Sequence, residues 1–174
     1  MLRSYVGPII VTAALLSSGV LRCGDTKTSP KRQPDDAALH KAIRRVRKTD
    51  TAAANDLETR SASLDLSRGL PCPDDKDCVS IWNSIEQLGE RYEIRSTVKV
   101  ETKKPGATIR YQTLAERATP GGAVRTMKHP TQCSEKVAIG SYYVWAERAG
   151  KPTSSTNDWF DIVDKRESVE LVEQ

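Results

Sequence analysis

The sequence predicts a mainly β fold: a small antiparallel β-sandwich with one preceding amphipathic helix, plus an N-terminal signal helix and a disordered tether. Three observations indicate this arrangement. Residues 95–174 alternate polar and apolar side chains in short runs separated by turn residues, which is typical of antiparallel strands. Residues 79–92 instead repeat apolar side chains at helical spacing. The chain begins with an uncharged apolar run, which is followed by a stretch without apolar side chains.

Composition limits both the size of the core and the classes of function. Of the 174 residues, 37% are hydrophobic and 5% aromatic, which favours one domain over two. Residues 1–66 carry 11 basic and 7 acidic side chains, whereas residues 67–174 carry 16 of each, so the net charge of +4 belongs to the first part. A neutral C-terminal part argues against nucleic acid as a partner. With only two histidines, His40 and His129, we expect no catalytic residues, no metal and no cofactor.

The amino terminus predicts export. A short basic start, Met1-Leu2-Arg3, precedes an uncharged stretch over residues 4–21, so residues 1–23 have the pattern of a signal peptide. Alternatively, Cys23 is the lipidated first residue of a bacterial lipoprotein. Either alternative predicts a periplasmic or cell-surface protein, and lipidation would add a membrane anchor.

Residues 24–68 are predicted to be a tether that contains one basic amphipathic helix at about residues 37–48. Leu39, Ile43 and Val46 form a narrow apolar stripe on that helix, and lysines and arginines crowd its second half. Two interpretations stay open: an arm that lies on anionic lipid or polymer, or a solvated helix of marginal stability. Residues 49–68 are predicted to be a weakly structured linker.

Residues 69–94 are predicted to form a cysteine loop and the main amphipathic helix. Cys72 and Cys78 enclose a short loop and are the favoured disulfide, while pairing of either cysteine with Cys133 stays open. A zinc site is disfavoured because the sequence has no CxxC motif and no histidine near Cys72 and Cys78. On the helix, Ile81, Ile85, Leu88 and Tyr92 share one face, and Trp82 beside them is predicted to anchor it to the body.

Short strands follow in the predicted sandwich, residues 95–174. Residues 95–101 and 107–112 alternate on either side of a Lys-Lys-Pro-Gly turn. Further strands are predicted over residues 137–147, 159–163 and 169–171. Five or more short strands that are divided by turn residues predict an antiparallel sandwich.

Several motifs over residues 95–172 resemble PEGA domains, which are small bacterial β-sandwiches. The matching motifs are Val98-x-Val100-x-Thr102-x-x-Pro105-Gly106-Ala107-x-Ile109, Thr119-Pro120, Gly140-Ser141-Tyr142-Tyr143-Val144, Gly150, Phe160-x-Ile162 and Val169-x-Leu171. Transthyretin-like and carboxypeptidase-regulatory-like sandwiches are related alternatives. The resemblance implies an extracytoplasmic accessory module that contacts surface polysaccharide or an envelope protein, and it implies no catalytic residues. The insert at residues 121–134 departs from the family pattern.

Strand alternation predicts one candidate ligand-binding face. If Tyr142 and Val144 point into the core, their neighbours point outward, and an adjacent strand at residues 159–162 adds further side chains to that face. The candidate residues are Tyr143, Trp145, Trp159, Glu147 and Asp161. Aromatic rings flanked by carboxylates suit sugar rings. The alternative is that the helix at residues 79–92 covers this face and buries Trp82 against Trp145.

These patterns favour a non-enzymatic exported cell-envelope module that binds wall polymer, polysaccharide or an envelope protein. The alternative is a secreted hydrolase or inhibitor whose site lies in the insert at residues 121–134, where His129 and Cys133 are the candidate reactive groups.

Overall fold

The computed structural model describes residues 36–64, 72, 75–132 and 134–173. The predicted signal peptide, the lipidation candidate Cys23 and the polar stretch at residues 24–34 lie outside the described residues. The helices are α1 (Asp36–Arg47), α2 (Thr51–Ala62), α3 (Lys76–Arg91) and α4 (Leu114–Ala118). The strands are β1 (Arg95–Thr102), β2 (Thr108–Thr113), β3 (Arg125–Thr126), β4 (Ser134–Ala138), β5 (Gly140–Arg148), β6 (Lys151–Pro152), β7 (Trp159–Ile162) and β8 (Arg166–Leu171).

Two sheets form a sandwich-like body, as the sequence predicts. One sheet has the order β4-β1-β8; the other has the order β3-β2-β5-β6, with β7 also paired to β5. Between them lies a core that includes Val98, Val100, Ile109, Val144, Phe160, Val169 and Leu171. This core uses one side of each strand, because successive side chains of a strand point to opposite faces.

One strand pairing corrects the antiparallel prediction. β1 and β8 run parallel, with Val100 opposite Val169 and Thr102 opposite Leu171. A parallel pair needs a long connection, and here more than sixty residues separate the two strands, so no hairpin fixes their relative direction. The other strand pairs are antiparallel, including β5 with β7, where Tyr143 lies opposite Trp159.

Helix and strand contents are about equal, which corrects the mainly β prediction. Instead of a linker, residues 51–62 form α2, whose N-cap Asp50 accepts a hydrogen bond from the backbone N–H of Ala53 at 2.9 Å. Ala54 and Leu57 on α2 are buried. Two positions one turn apart are too narrow a pattern to predict a helix from the sequence, and α2 gains its stability by packing on other helices.

A second core joins the helices to the body. It includes Leu39, Ile43 and Val46 of α1, Leu57 of α2, and Ile81, Trp82 and Ile85 of α3. The stripe on α1 is therefore buried, so α1 is not a solvated helix. Ile139, just before β5, belongs to the same cluster and couples the helices to the second sheet.

Gly89 allows α3 to approach the second sheet closely. A Cβ atom at this position would lie 3.1 Å from both Cγ1 and the carbonyl oxygen of Ile139. The absence of a side chain therefore sets the distance between α3 and the start of β5. None of the helices in the described ranges is both long enough and apolar enough to cross a bilayer.

Candidate functional site

The predicted aromatic face exists, but helices and neighbouring side chains occupy part of it. The rings of Tyr143 and Trp159 lie edge to face, with 6.3 Å between their centroids, and both pack against the helical core. The guanidinium of Arg117 lies over the Tyr143 ring at 5.3 Å from its centroid, and it also donates a hydrogen bond to Asn157 Oδ1 at 3.0 Å. The protein itself therefore uses the Tyr143 ring face that a sugar would need.

The remaining candidates on this face are also engaged internally. Trp145 is 5% exposed, and its indole Nε1 donates a hydrogen bond to Glu147 Oε1 at 3.0 Å. The other oxygen of Glu147 accepts a hydrogen bond from Arg110 Nε at 2.9 Å. Burial works against the charge of Glu147, but the hydrogen bonds from Arg110 and Trp145 lower its pKa. Asp161 lies opposite Ser141 and is half-buried, so sugar binding by these residues stays a prediction.

Cys72 and Cys78 form the favoured disulfide, with their Cα atoms 5.5 Å apart. The bridge lies at the start of α3, where the Asp75 side chain accepts hydrogen bonds from the backbone N–H groups of Asp77 and Cys78. Both features fix the first turn of the helix. Cys133 lies outside the described residues, and across the described ranges no cluster of histidine, cysteine and acidic side chains could hold a metal ion.

A half-buried ionic network ties the insert at residues 121–134 to the helices. Arg125 on β3 donates hydrogen bonds to Glu86 Oε1 on α3 at 3.0 Å and to Glu116 Oε1 on α4 at 2.9 Å. Burial raises the pKa of Glu86, and Arg125 only partly offsets this effect. Burial by itself lowers the pKa of Arg125, but the hydrogen bonds and the negative charges of Glu116 and Glu86 outweigh that effect and raise the pKa above its usual value. His129 is exposed in the same insert, and a reactive role for it and Cys133 stays a prediction.

A groove with a volume of about 1060 Å³ lies between the helices and the β7–β8 turn. We call it the basic groove; it is lined by residues from the ranges 41–49, 92–95 and 163–166. Seven of its side chains are cationic and two, Glu93 and Asp164, are acidic. The cations are Lys41, Arg44, Arg45, Lys48, Arg95, Lys165 and Arg166. The basic groove therefore concentrates positive charge on a protein whose net charge is only +4.

Arg45 fixes the walls of the basic groove. Its guanidinium donates hydrogen bonds to Ser96 Oγ at 2.8 Å and to the carbonyl oxygens of Arg95 at 2.7 Å and Val163 at 2.8 Å. Burial lowers the pKa of Arg45, while the nearby charge of Asp164 opposes that effect. A single side chain thus connects α1 to the start of β1 and the end of β7, and it is structural rather than available to a ligand.

The other groove cations divide into paired and unpaired groups. Lys41 forms an ion pair with Asp164, and Arg95 forms one with Glu90 at 3.0 Å. Four exposed cations have no ion pair and no side-chain hydrogen bond within the described part of the chain. They are Arg44, Lys48, Lys165 and Arg166. These four side chains are the groups that could bind an anion from solution.

Comparison with models of known families, with curated proteins and with solved structures finds no match to this chain.

Proposed function

We propose that this chain is a non-enzymatic exported module of the cell envelope, and that it binds an anionic wall polymer in the basic groove. The observation that carries the proposal is the set of four exposed, unpaired cations from two separate segments of the chain: Arg44 and Lys48 at the end of α1 and just after it, and Lys165 and Arg166 just before β8 and at its start. A concave site lined by one sign of charge raises the local concentration of oppositely charged ligands. A polymer can occupy several such cations at once, which multiplies weak individual contacts.

The described carboxylates support a binding role over a catalytic one. Glu86 and Glu147 are two largely enclosed acids, and each is held in an ion pair with an arginine. A general acid or base needs a reactive oxygen that a substrate can reach. Neither carboxylate lines the basic groove. Its described lining residues supply cations that can bind an anion, and they do not include this pair of enclosed acids.

The envelope location is part of the proposal and depends on the amino-terminal pattern, which lies outside the described residues. The Cys72–Cys78 disulfide supports it, because structural disulfides persist mainly in oxidising compartments. The two-sheet body is consistent with the resemblance to PEGA domains, and we propose that relationship from the motifs over residues 95–172. An envelope protein stays the alternative partner.

Retention on immobilised polymers tests the proposed function. The groove variant removes the four unpaired cations together: Arg44→Gln, Lys48→Gln, Lys165→Gln and Arg166→Gln. The control variant removes four exposed lysines outside the basic groove: Lys103→Gln, Lys104→Gln, Lys128→Gln and Lys136→Gln. The two variants have the same net charge, so a difference between them reports position rather than total charge.

At about 0.15 M salt, where long-range attraction is screened, beads carrying poly(glycerol phosphate) or polygalacturonate should retain the wild type and the control variant. Neutral dextran beads should retain neither, and the groove variant should elute from all three. Equal retention of the groove and control variants, or retention on neutral dextran, would contradict the proposal. For this test the protein is purified from the envelope fraction, and its amino terminus is identified by mass spectrometry. An amino terminus that still carries the predicted signal peptide would contradict export.

A further inference from the structure

We propose that the basic groove selects phosphate groups, and that a phosphodiester-linked polyol chain lies between its two cationic walls. This inference rests on the proposed function and adds the chemical class of the polymer. The two walls of the basic groove are residues 41–49 and residues 163–166. The evidence is the distribution of the four unpaired cations over these walls and the Lys41–Asp164 ion pair between them.

The cations of α1 face one gap. Lys41 and Arg44 lie three residues apart on one face of α1, and Lys48 follows directly after the helix ends at Arg47. All three side chains line the basic groove. Lys41 reaches across and forms an ion pair with Asp164 of the β7–β8 turn. The gap between the two walls is therefore narrow enough for one lysine side chain to span it.

The charge pattern changes immediately after Asp164. At Lys41 a cation meets an acid from the opposite wall, whereas the next two residues of that wall, Lys165 and Arg166, are cations. Arg44 and Lys48 line the same groove, so positive side chains approach it from both walls, and none of these four cations forms an ion pair with Glu93 or Asp164, the described acids that also line it. Like charges on facing surfaces repel, and an anion between them removes the repulsion.

The shape of the anion follows from having donors on two walls. A carboxylate is planar, so its acceptor lone pairs all lie in one plane, which suits a single guanidinium fork. The oxygens of a phosphate group point in tetrahedral directions, so one group can accept hydrogen bonds from both walls at once. Each wall supplies one arginine fork and one lysine point charge, the two side-chain types that bind phosphate in different ways.

The floor of the basic groove suits the carbon part of such a chain. Tyr92 is 36% exposed there, and the half-buried Ile94 lines the groove beside it. The Tyr92 hydroxyl donates a hydrogen bond to Asp50 Oδ2 at 2.9 Å, which fixes the ring and leaves it as an apolar surface. Polyol carbons between phosphates would pack against this surface, which a free phosphate ion could not use.

Titration calorimetry with soluble polymers tests the inference. The ligands are poly(glycerol phosphate), polygalacturonate and dextran sulfate at equal charge concentration, together with phosphatidylglycerol vesicles. The helix-wall variant is Arg44→Gln with Lys48→Gln, and the turn-wall variant is Lys165→Gln with Arg166→Gln. The matched control is Lys103→Gln with Lys104→Gln, which removes two exposed cations outside the basic groove.

We expect wild-type protein to bind poly(glycerol phosphate) about tenfold more tightly than polygalacturonate, whose carboxylates are planar, and more tightly than the vesicles. Dextran sulfate also carries tetrahedral anions, but it has no polyol chain to pack against Tyr92 and Ile94, so it should bind more weakly as well. Each wall variant should lose about tenfold in affinity for poly(glycerol phosphate), since each removes charge-assisted hydrogen bonds, and the control should lose little. Equal affinity for polygalacturonate or dextran sulfate would overturn phosphate selection and leave the proposed function intact. Tighter binding to the vesicles would overturn the polymer assignment, and loss in only one wall variant would overturn the two-walled site. Absence of binding to every ligand would overturn the proposed function as well.

Discussion

Replacing Ile85 by alanine is expected to lower the free energy of unfolding by about 3 kcal/mol, the middle of the range for large-to-small substitutions in a core. Ile85 is fully buried on α3, in the cluster that contains Trp82 and Ile139. Removing three carbon atoms leaves a cavity where helices meet the second sheet. Neighbouring side chains cannot fill it cheaply, because the closest approach of α3 is already set by Gly89. Urea unfolding followed by tryptophan fluorescence measures the loss.

Gln87→Ala is the control for this prediction, because Gln87 lies on the exposed side of the same helix. Its free energy of unfolding should stay within about 0.5 kcal/mol of wild type. If Ile85→Ala were as mild as Gln87→Ala, α3 would not be packed on the body as described, and the account of the second core would be wrong.

Replacing Arg125 by methionine should also destabilise the protein, by about 2 to 3 kcal/mol at pH 7. The substitution leaves Glu86 enclosed without its cation, and removing one partner of a buried pair is costly. We place the loss below the usual range for buried pairs, since the Arg125 side chain is 33% exposed and water screens part of the interaction.

The pH dependence of this loss identifies its origin. Burial already raises the pKa of Glu86 in the wild type, so the folded state holds that proton more tightly than the unfolded state, whose glutamate pKa is about 4.3. The contribution of Glu86 to stability therefore declines as the pH rises from about 4.3 through its folded pKa. Without Arg125 the folded pKa rises further, and that decline should become steeper and extend to higher pH.

Unfolding measured between pH 4 and 8 tests this prediction. The loss caused by Arg125→Met should be smallest near pH 4, and adding Glu86→Gln should restore most of the stability at pH 7. A loss that is the same at every pH, or one that Glu86→Gln does not reduce, would show that Arg125 stabilises the fold by packing or by pairing with Glu116, and not by pairing with Glu86.

Local sequence patterns predicted the elements whose stability depends on neighbours in the chain. The stripe that includes Ile81 and Ile85 predicted α3, and alternation predicted the strand β5. The single strand predicted over residues 137–147 is wrong in its extent, because the chain passes from β4 of one sheet to β5 of the other at Ile139. The short loop between Cys72 and Cys78 favoured the disulfide that the structure contains. Each pattern repeats over a few residues, so the physics that produces the element is visible within a short window.

Features that depend on distant residues were not predicted. The parallel pairing of β1 with β8 follows from how the sheets assemble, and the short apolar pattern of α2 conceals a helix that packing stabilises. Burial of Trp145, which is 5% exposed, was one of two alternatives that the sequence left open. Alternation places Trp145 on the correct face, but it does not reveal how exposed that face is.

The basic groove is a further feature that local sequence patterns could not predict. The cations in and just after α1, including Arg44 and Lys48, are conspicuous in the sequence, which left two interpretations open: an arm for anionic lipid or polymer, or a solvated helix of marginal stability. Lys165 and Arg166 follow more than 110 residues later and form an ordinary charged turn when considered alone. Only the fold brings the two pairs into one groove, with Arg45 holding the walls together.

Mapping the bound polymer on the protein by NMR tests the central claim, that the basic groove is the binding site, most directly. In a titration with a short poly(glycerol phosphate), backbone amide signals from residues 41–49, 92–95 and 163–166 should shift together and saturate at one concentration. The indole N–H signals of Trp145 and Trp159 should stay in place. Shifts concentrated at residues 143–147 and 157–161, with an unchanged groove, would contradict the account and return the aromatic face as the binding site.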